Sequence, residues 1–158
     1  MDPRPAGRAP WGRRFRVLPA PATHLIRGRE VDQMPKVSRD TATQGGDYGP
    51  VVEQSEDLEP YTVDFRSFRE DVDLTPLLKE LPDGRCQCPH WGYVFKGELR
   101  LRYPDHDEVY TAGEAFYAPP GHVPVHTAPG TEYVQFSPTD EVRRASAITL
   151  NHFPPLAG

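Results

Sequence analysis

From Tyr61 onward, short apolar runs alternate with polar residues and are cut at close intervals by glycine and proline. That pattern predicts strands. Val63 and Phe65 alternate with polar neighbours, and Phe68 continues the apolar face after a slip of register. The stretch Asp73-Leu74-Thr75-Pro76-Leu77-Leu78-Lys79-Glu80-Leu81 reads as a short helix. Thr75 suits its cap, Pro76 its first position, and Pro82 stops it. Beyond residue 85, Tyr93–Phe95 and Leu99–Tyr103 flank Lys96-Gly97-Glu98, which reads as a hairpin turn. Glu108–Thr111, Ala115–Ala118, Val123–His126 and Glu132–Phe136 follow, separated by turns at Pro104–Asp107, Gly113, Pro119-Pro120-Gly121 and Gly130. About seven short strands at this spacing predict an all-β sandwich or barrel. The segment from Ser137 to Ile148 predicts a closing helix with Ser137 as its cap.

Charge divides the chain. Residues 1–33 hold seven arginines against Asp2, Glu30 and Asp32, a net of +4, so the rest of the chain carries -9 of the total -5. Prolines at 3, 5, 10, 19 and 21, with no sustained apolar period, predict a disordered basic N-terminal extension. The charge changes sign near Met34, an alternative start. Residues 34–59 are polar and turn-rich and read as an extended arm, with regular structure beginning at Tyr61. Residues 60–138 form the expected barrel, and 139–158 the C-terminal helix and tail. The acidic globular part argues against nucleic acid as a partner. No apolar run reaches the ~18 residues that span a bilayer, so no membrane partner is expected. The N-terminus lacks the apolar core of a secretory signal, which points to the cytoplasm, where thiols stay reduced.

Chemistry concentrates in two clusters. One is Cys86-Gln87-Cys88-Pro89-His90-Trp91-Gly92-Tyr93; the other is Pro119-Pro120-Gly121-His122 with His126 close behind. Thiols and imidazoles favour zinc, copper, nickel or iron over magnesium and calcium. Cysteines two residues apart would make a strained disulfide, so ligands or buried thiols are expected. There is no phosphate-cradling glycine loop, nucleophile elbow or Cys-x-x-Cys pair.

The two clusters resemble the paired motifs of the cupin superfamily, G-x5-H-x-H-x3-4-E-x6-G and G-x5-P-x-G-x2-H-x3-N. Gly97 matches the closing glycine of the first motif; His90 stands at its glutamate position, Cys86 at its second histidine and Gly84 at its first. Gly113, Pro119 and Gly121 match the second motif, whose ligand position holds Pro124 between His122 and His126. Cys-x-Cys-Pro-His-Trp-Gly-Tyr-Val followed by Pro-Pro-Gly-His is similar to a subgroup of small, mostly actinobacterial cupins. The resemblance implies an all-β fold: a single double-stranded β-helix, or jelly-roll barrel, with short flanking helices. It also implies pairing into a homodimer, in which the 34–59 arm would bury Tyr48, Val51 and Val52.

On that alignment, strand parity places Cys86, Cys88 and His90 on one inward face, and His122 and His126 on the facing one. Cys86, Cys88, His90 and His122 then make a Cys2His2 set for one divalent transition metal, zinc first, with iron or manganese as alternatives. His126 remains a substitute for one of them. Trp91 has the opposite parity and points outward; Tyr93 reads as core. Four protein ligands would make the site structural, whereas a free position would allow Lewis-acid chemistry on a small-molecule ligand. The other reading is a non-catalytic ligand-binding or sensing module without metal. Fold alone names no reaction.

Overall fold

The computed structural model describes residues 35–149, so the basic extension and the far C-terminal tail lie outside the described residues. Among the described residues, nine strands form two antiparallel sheets. They are β1 (Gln44–Asp47), β2 (Val51–Leu58), β3 (Tyr61–Phe68), β4 (His90–Lys96), β5 (Glu98–Arg102), β6 (Asp107–Thr111), β7 (Ala115–Ala118), β8 (Val123–Thr127) and β9 (Glu132–Pro138). One sheet has the order β1-β2-β3-β9-β4-β7; the other is β6-β5-β8.

Among the described residues neither sheet closes on itself, which corrects the barrel and jelly-roll expectation. Strand spacing reports how many strands there are, whereas closure requires the edge strands to pair. Here β1 and β7 end one sheet, and β6 and β8 end the other. The Lys96-Gly97-Glu98 turn is likewise not a hairpin. It is a corner at which the chain leaves β4 in the large sheet and enters β5 in the small one. Gly97 is needed there: its φ is +77°, and a Cβ would lie 2.3 Å from Thr131 Oγ1.

Regular structure begins well before Tyr61. Residues 44–58, read as arm, form β1 and β2, and β2 pairs along its length with β3 of the same chain. Residues of both sheets meet in one buried cluster: Phe68, Val94, Phe116, Ala118 and Tyr133 from the large sheet with Leu99 and Leu101 from the small one. Full burial of each large apolar side chain contributes roughly 1.5–3 kcal/mol, which makes this cluster the principal tie between the sheets.

The helices are shorter or capped otherwise than the sequence suggests. Helix α1 covers only Thr75–Leu78. Thr75 lies inside it, after Leu74 at the N-cap, and its N–H donates to Asp73 Oδ1 at 2.8 Å in an Asx turn that leads into the helix. Helix α2 is Thr139–Thr149, with Asp140 and Glu141 in its first turn, where acidic groups favour the helix dipole. Ser137 belongs to β9 and does not cap it. No helix among the described residues is long and apolar enough to cross a membrane.

Candidate metal centre

Between the sheets lies a cavity of about 750 Å3, lined by Cys86, His90, His122, Asp64, Gln135 and Phe116 among others. Three of the four expected ligands converge on it. Cys86 Sγ, a nitrogen of His90 and a nitrogen of His122 all lie within 4.8 Å of one another. Cys86 Sγ is 3.5 Å from His90 Nε2, and the two imidazole centroids are 5.0 Å apart. Ligand atoms around a tetrahedral zinc sit roughly 3.3–3.8 Å from one another, given bond lengths of ~2.0–2.3 Å. The group therefore needs about 1.5 Å of closure at most.

Backbone geometry brings these residues together. Cys86 N–H donates to His122 O at 2.9 Å, and Gly121 N–H donates to Cys86 O at 2.7 Å. This isolated bridge fastens the strand-leading segment before β4 to the Pro119-Pro120-Gly121 corner. His90 opens β4, and its Nδ1 is hydrogen-bonded to Ser137 Oγ at 2.6 Å, leaving Nε2 toward Cys86. His122 is 1% exposed, and its Nδ1–H donates to Pro119 O at 2.7 Å, which leaves Nε2 with the lone pair. Each imidazole is thus oriented by a partner on its other nitrogen, the usual arrangement for a metal-binding histidine.

Electrostatics keep the imidazoles in their ligand form. Burial, helped by His122 and Arg66, holds His90 well below the ordinary histidine range. Burial also lowers His122, against the Pro119 carbonyl, which raises it. Burial raises the Cys86 thiol, so metal binding has to displace a proton from sulfur.

Cys88 does not join the group. The backbone between Cys86 and His90 is a bend, not strand, and Pro89 has no N–H to continue a ladder. Parity counted through that bend fails. Cys88 is buried, its Sγ lies 3.6 Å from Pro89 O, and burial pushes its thiol up to about 12. Both cysteines are free thiols. His126 is also elsewhere. The β5–β8 register is irregular between Arg100 and Leu101, so Pro124 pairs with buried Leu101 while His126 pairs with Arg100. The bulge turns His126 away, and its Nδ1 bonds Asp71 Oδ2 at 2.8 Å.

Trp91 points outward, as parity predicts. Tyr93, read as core, shares that outer face and is 40% exposed. The sequence reading missed the polar inner face of β3. Thr62, Asp64 and Arg66 line the cavity on the same face as Phe68, opposite to Val63 and Phe65. The register of β3 with β9 runs unbroken from Tyr61 to Ser67, so no slip occurs. The usable signal was Phe68 itself, which is 2% exposed and shares its face with Thr62, Asp64 and Arg66.

No family model matches the chain, and no curated protein matches it. Solved structures with distant similarity do exist. A protein of unknown function from Rhizobium leguminosarum bv. viciae aligns with a TM-score of 0.48 at 17% identity, covering 67% of this chain and 96% of that one. The polyketide cyclase RemF from Streptomyces resistomycificus aligns at 0.47 and 18%, covering 67% and 80%. A cupin-2 domain containing protein from Shewanella frigidimarina aligns at 0.40 and 14%, covering 54% and 78%. All three scores lie below 0.5 and none of the three identities exceeds 18%, so the likeness is distant.

Proposed function

We propose that the chain is a metal-dependent small-molecule-binding protein in which Cys86, His90 and His122 hold one divalent transition ion at the wall of the inter-sheet cavity, zinc being the first candidate. The observation that carries this is the convergence of one sulfur and two oriented imidazole nitrogens within 4.8 Å, on a cavity of about 750 Å3. A cavity of that size suits a small organic molecule. Three protein ligands leave a coordination position for water or a ligand oxygen, which a bound divalent ion would polarise as a Lewis acid. The chain's own residues supply the rest: Ser137 and the Pro119 carbonyl fix the imidazoles, and Leu99, Leu101 and Phe116 give the cavity an apolar wall.

Metal analysis of the full chain, purified without chelator and then offered zinc, iron and manganese, tests this reading. About one equivalent per chain is expected. Cys86→Ser and His122→Ala should each weaken retention at least about tenfold, while Cys88→Ser should retain the ion. Failure of the wild-type chain to hold any of the three metals would overturn the proposal.

We further propose that the chain pairs with a second copy through the outer face of the six-stranded sheet. Val63, Phe136, Trp91 and Tyr117 stand in one cross-strand row there, and Phe136, Trp91 and Tyr117 are each more than two-fifths exposed. Neighbouring Tyr93 and Phe95 widen the patch. A twofold axis lets one such patch cover its own copy.

A further inference from the structure

The cavity holds a second polar group that the thiol and imidazoles do not use. On β3, Asp64 stands opposite Ser55 on one side and Gln135 on the other, and Arg66 stands opposite Glu53 and Tyr133. Asp64 Oδ2 accepts from Arg66 Nε at 2.6 Å and from Gln135 Nε2 at 3.1 Å. A terminal nitrogen of Arg66 reaches Glu53 Oε2 at 3.0 Å. The other carboxylate oxygen, Asp64 Oδ1, is buried and has no hydrogen-bond partner among the described residues. The Asp64 side chain is 8% exposed and lines the cavity. Buried carboxylate oxygens are normally satisfied, and an exception calls for a reason.

We propose that Asp64 Oδ1 is the docking point for a hydroxyl group of an uncharged small molecule held in this cavity. The inference rests on the proposed small-molecule role of the cavity, though not on the metal. The neighbours select against charge. A cationic group at Oδ1 would give up its hydration for a carboxylate whose charge the Arg66 guanidinium, 2.6 Å from the other oxygen, already offsets. An anionic group would face the carboxylates of Asp64 and Glu53. Because two N–H donors occupy Oδ2, a proton on this carboxyl group sits on Oδ1. A hydroxyl donates to the ionised form and accepts from the protonated one, so it fits both states. The place is also suitable. Gln135, which braces Asp64, and Ser137, which braces His90, are two residues apart on β9, about 7 Å along the strand. One compact molecule can therefore touch Asp64 and the imidazole group together.

Three probes with one ring and different head groups test this: cyclohexanol, cyclohexylammonium and cyclohexanecarboxylate. Binding to the chelator-treated full chain is followed by NMR, through the amides of Asp64 and Gln135 and the carboxyl carbon of Asp64. Because no metal is present, a failure of metal binding leaves this outcome unaffected. Cyclohexanol should shift the Asp64 carboxyl signal and bind at least about tenfold tighter than either charged probe. Asp64→Leu should weaken it about tenfold, and Asp64→Asn, which keeps the shape and a polar head, should weaken it less. Equal binding to a folded Asp64→Leu variant, tighter binding of either charged probe, or an unmoved Asp64 carboxyl signal at saturation would each overturn the proposal. Should the leucine variant not fold, the wild-type carboxyl signal and the probe ranking decide.

Discussion

Replacing Asp64 with asparagine removes one proton-binding group from the interior and changes how stability depends on pH. Burial raises the Asp64 carboxyl from 3.8 to about 6, with Arg66 pulling down and Glu53 pushing up. The native state therefore holds this proton more tightly than the unfolded chain does. Between the two values the native state carries more protons, so stability falls as pH rises from about 4 to about 6 and stays lower above that. A shift of about two units corresponds to on the order of 3 kcal/mol. For a chain of this size that is roughly 6–12 °C in Tm. The buried imidazoles act in the opposite sense. The pKa values of His90 and His122 are held below the ordinary value, so each costs stability as pH falls below about 6.5, where the unfolded imidazoles take up protons. The raw profile mixes both effects, but the difference between wild type and Asp64→Asn isolates the carboxyl, since asparagine does not titrate. Calorimetry of both proteins with chelator, from pH 4.5 to 8, measures it. Wild type should lose several degrees relative to the variant as pH rises. A carboxylate held mainly by its Arg66 ion pair would give the opposite slope. A flat difference, or one in which wild type gains with rising pH, refutes the reasoning.

Two further changes probe the frame and the surface. Gly97→Ala puts a Cβ 2.3 Å from Thr131 Oγ1 and 2.7 Å from Thr131 Cα at a positive φ, and the Thr131 hydroxyl cannot retreat without losing its bonds to Glu98 and Ala128. Denaturant unfolding should show a loss of about 3 kcal/mol or more; a loss under about 1 kcal/mol would mean that the corner is not the constraint inferred. Trp91→Glu places a charge in the middle of the exposed aromatic row. Light scattering at micromolar concentration should find dimers for wild type and monomers for this variant, and a monomeric wild type rejects the pairing face.

What the sequence disclosed depended on where the strand ladder is unbroken. The strands from β4 to β9 were legible because each is bounded by a glycine or proline turn, and Trp91 faced outward as its parity required. Parity failed wherever the ladder was interrupted. Pro89 breaks the approach to β4, so Cys88 leaves the face it should share with Cys86 and His90. The bulge in β8 removes His126 from the face of Pro124. Cys86 and His90 nevertheless meet, because the isolated bridge to His122 positions Cys86 by backbone hydrogen bonds that no side-chain period records. Asp64 was hidden for a different reason. Alternation reports two faces but not which one is interior, and the usual assumption that the apolar face is inside assigned Asp64 and Arg66 to solvent. In this sheet the outer face carries the aromatic row and the inner face of β3 carries Thr62, Asp64 and Arg66. That inversion is what the proposed ligand cavity would demand. A sheet that covers only a core needs polar residues on its outside, whereas one that walls a binding cavity must spend its inner face on groups that hydrogen-bond what enters. On the proposed reading, the unpartnered oxygen of Asp64 and the convergent Cys86, His90 and His122, from the approach to β4, its first residue and the corner before β8, belong to one design, in which the interior is polar where a molecule would be held and apolar where the sheets are joined.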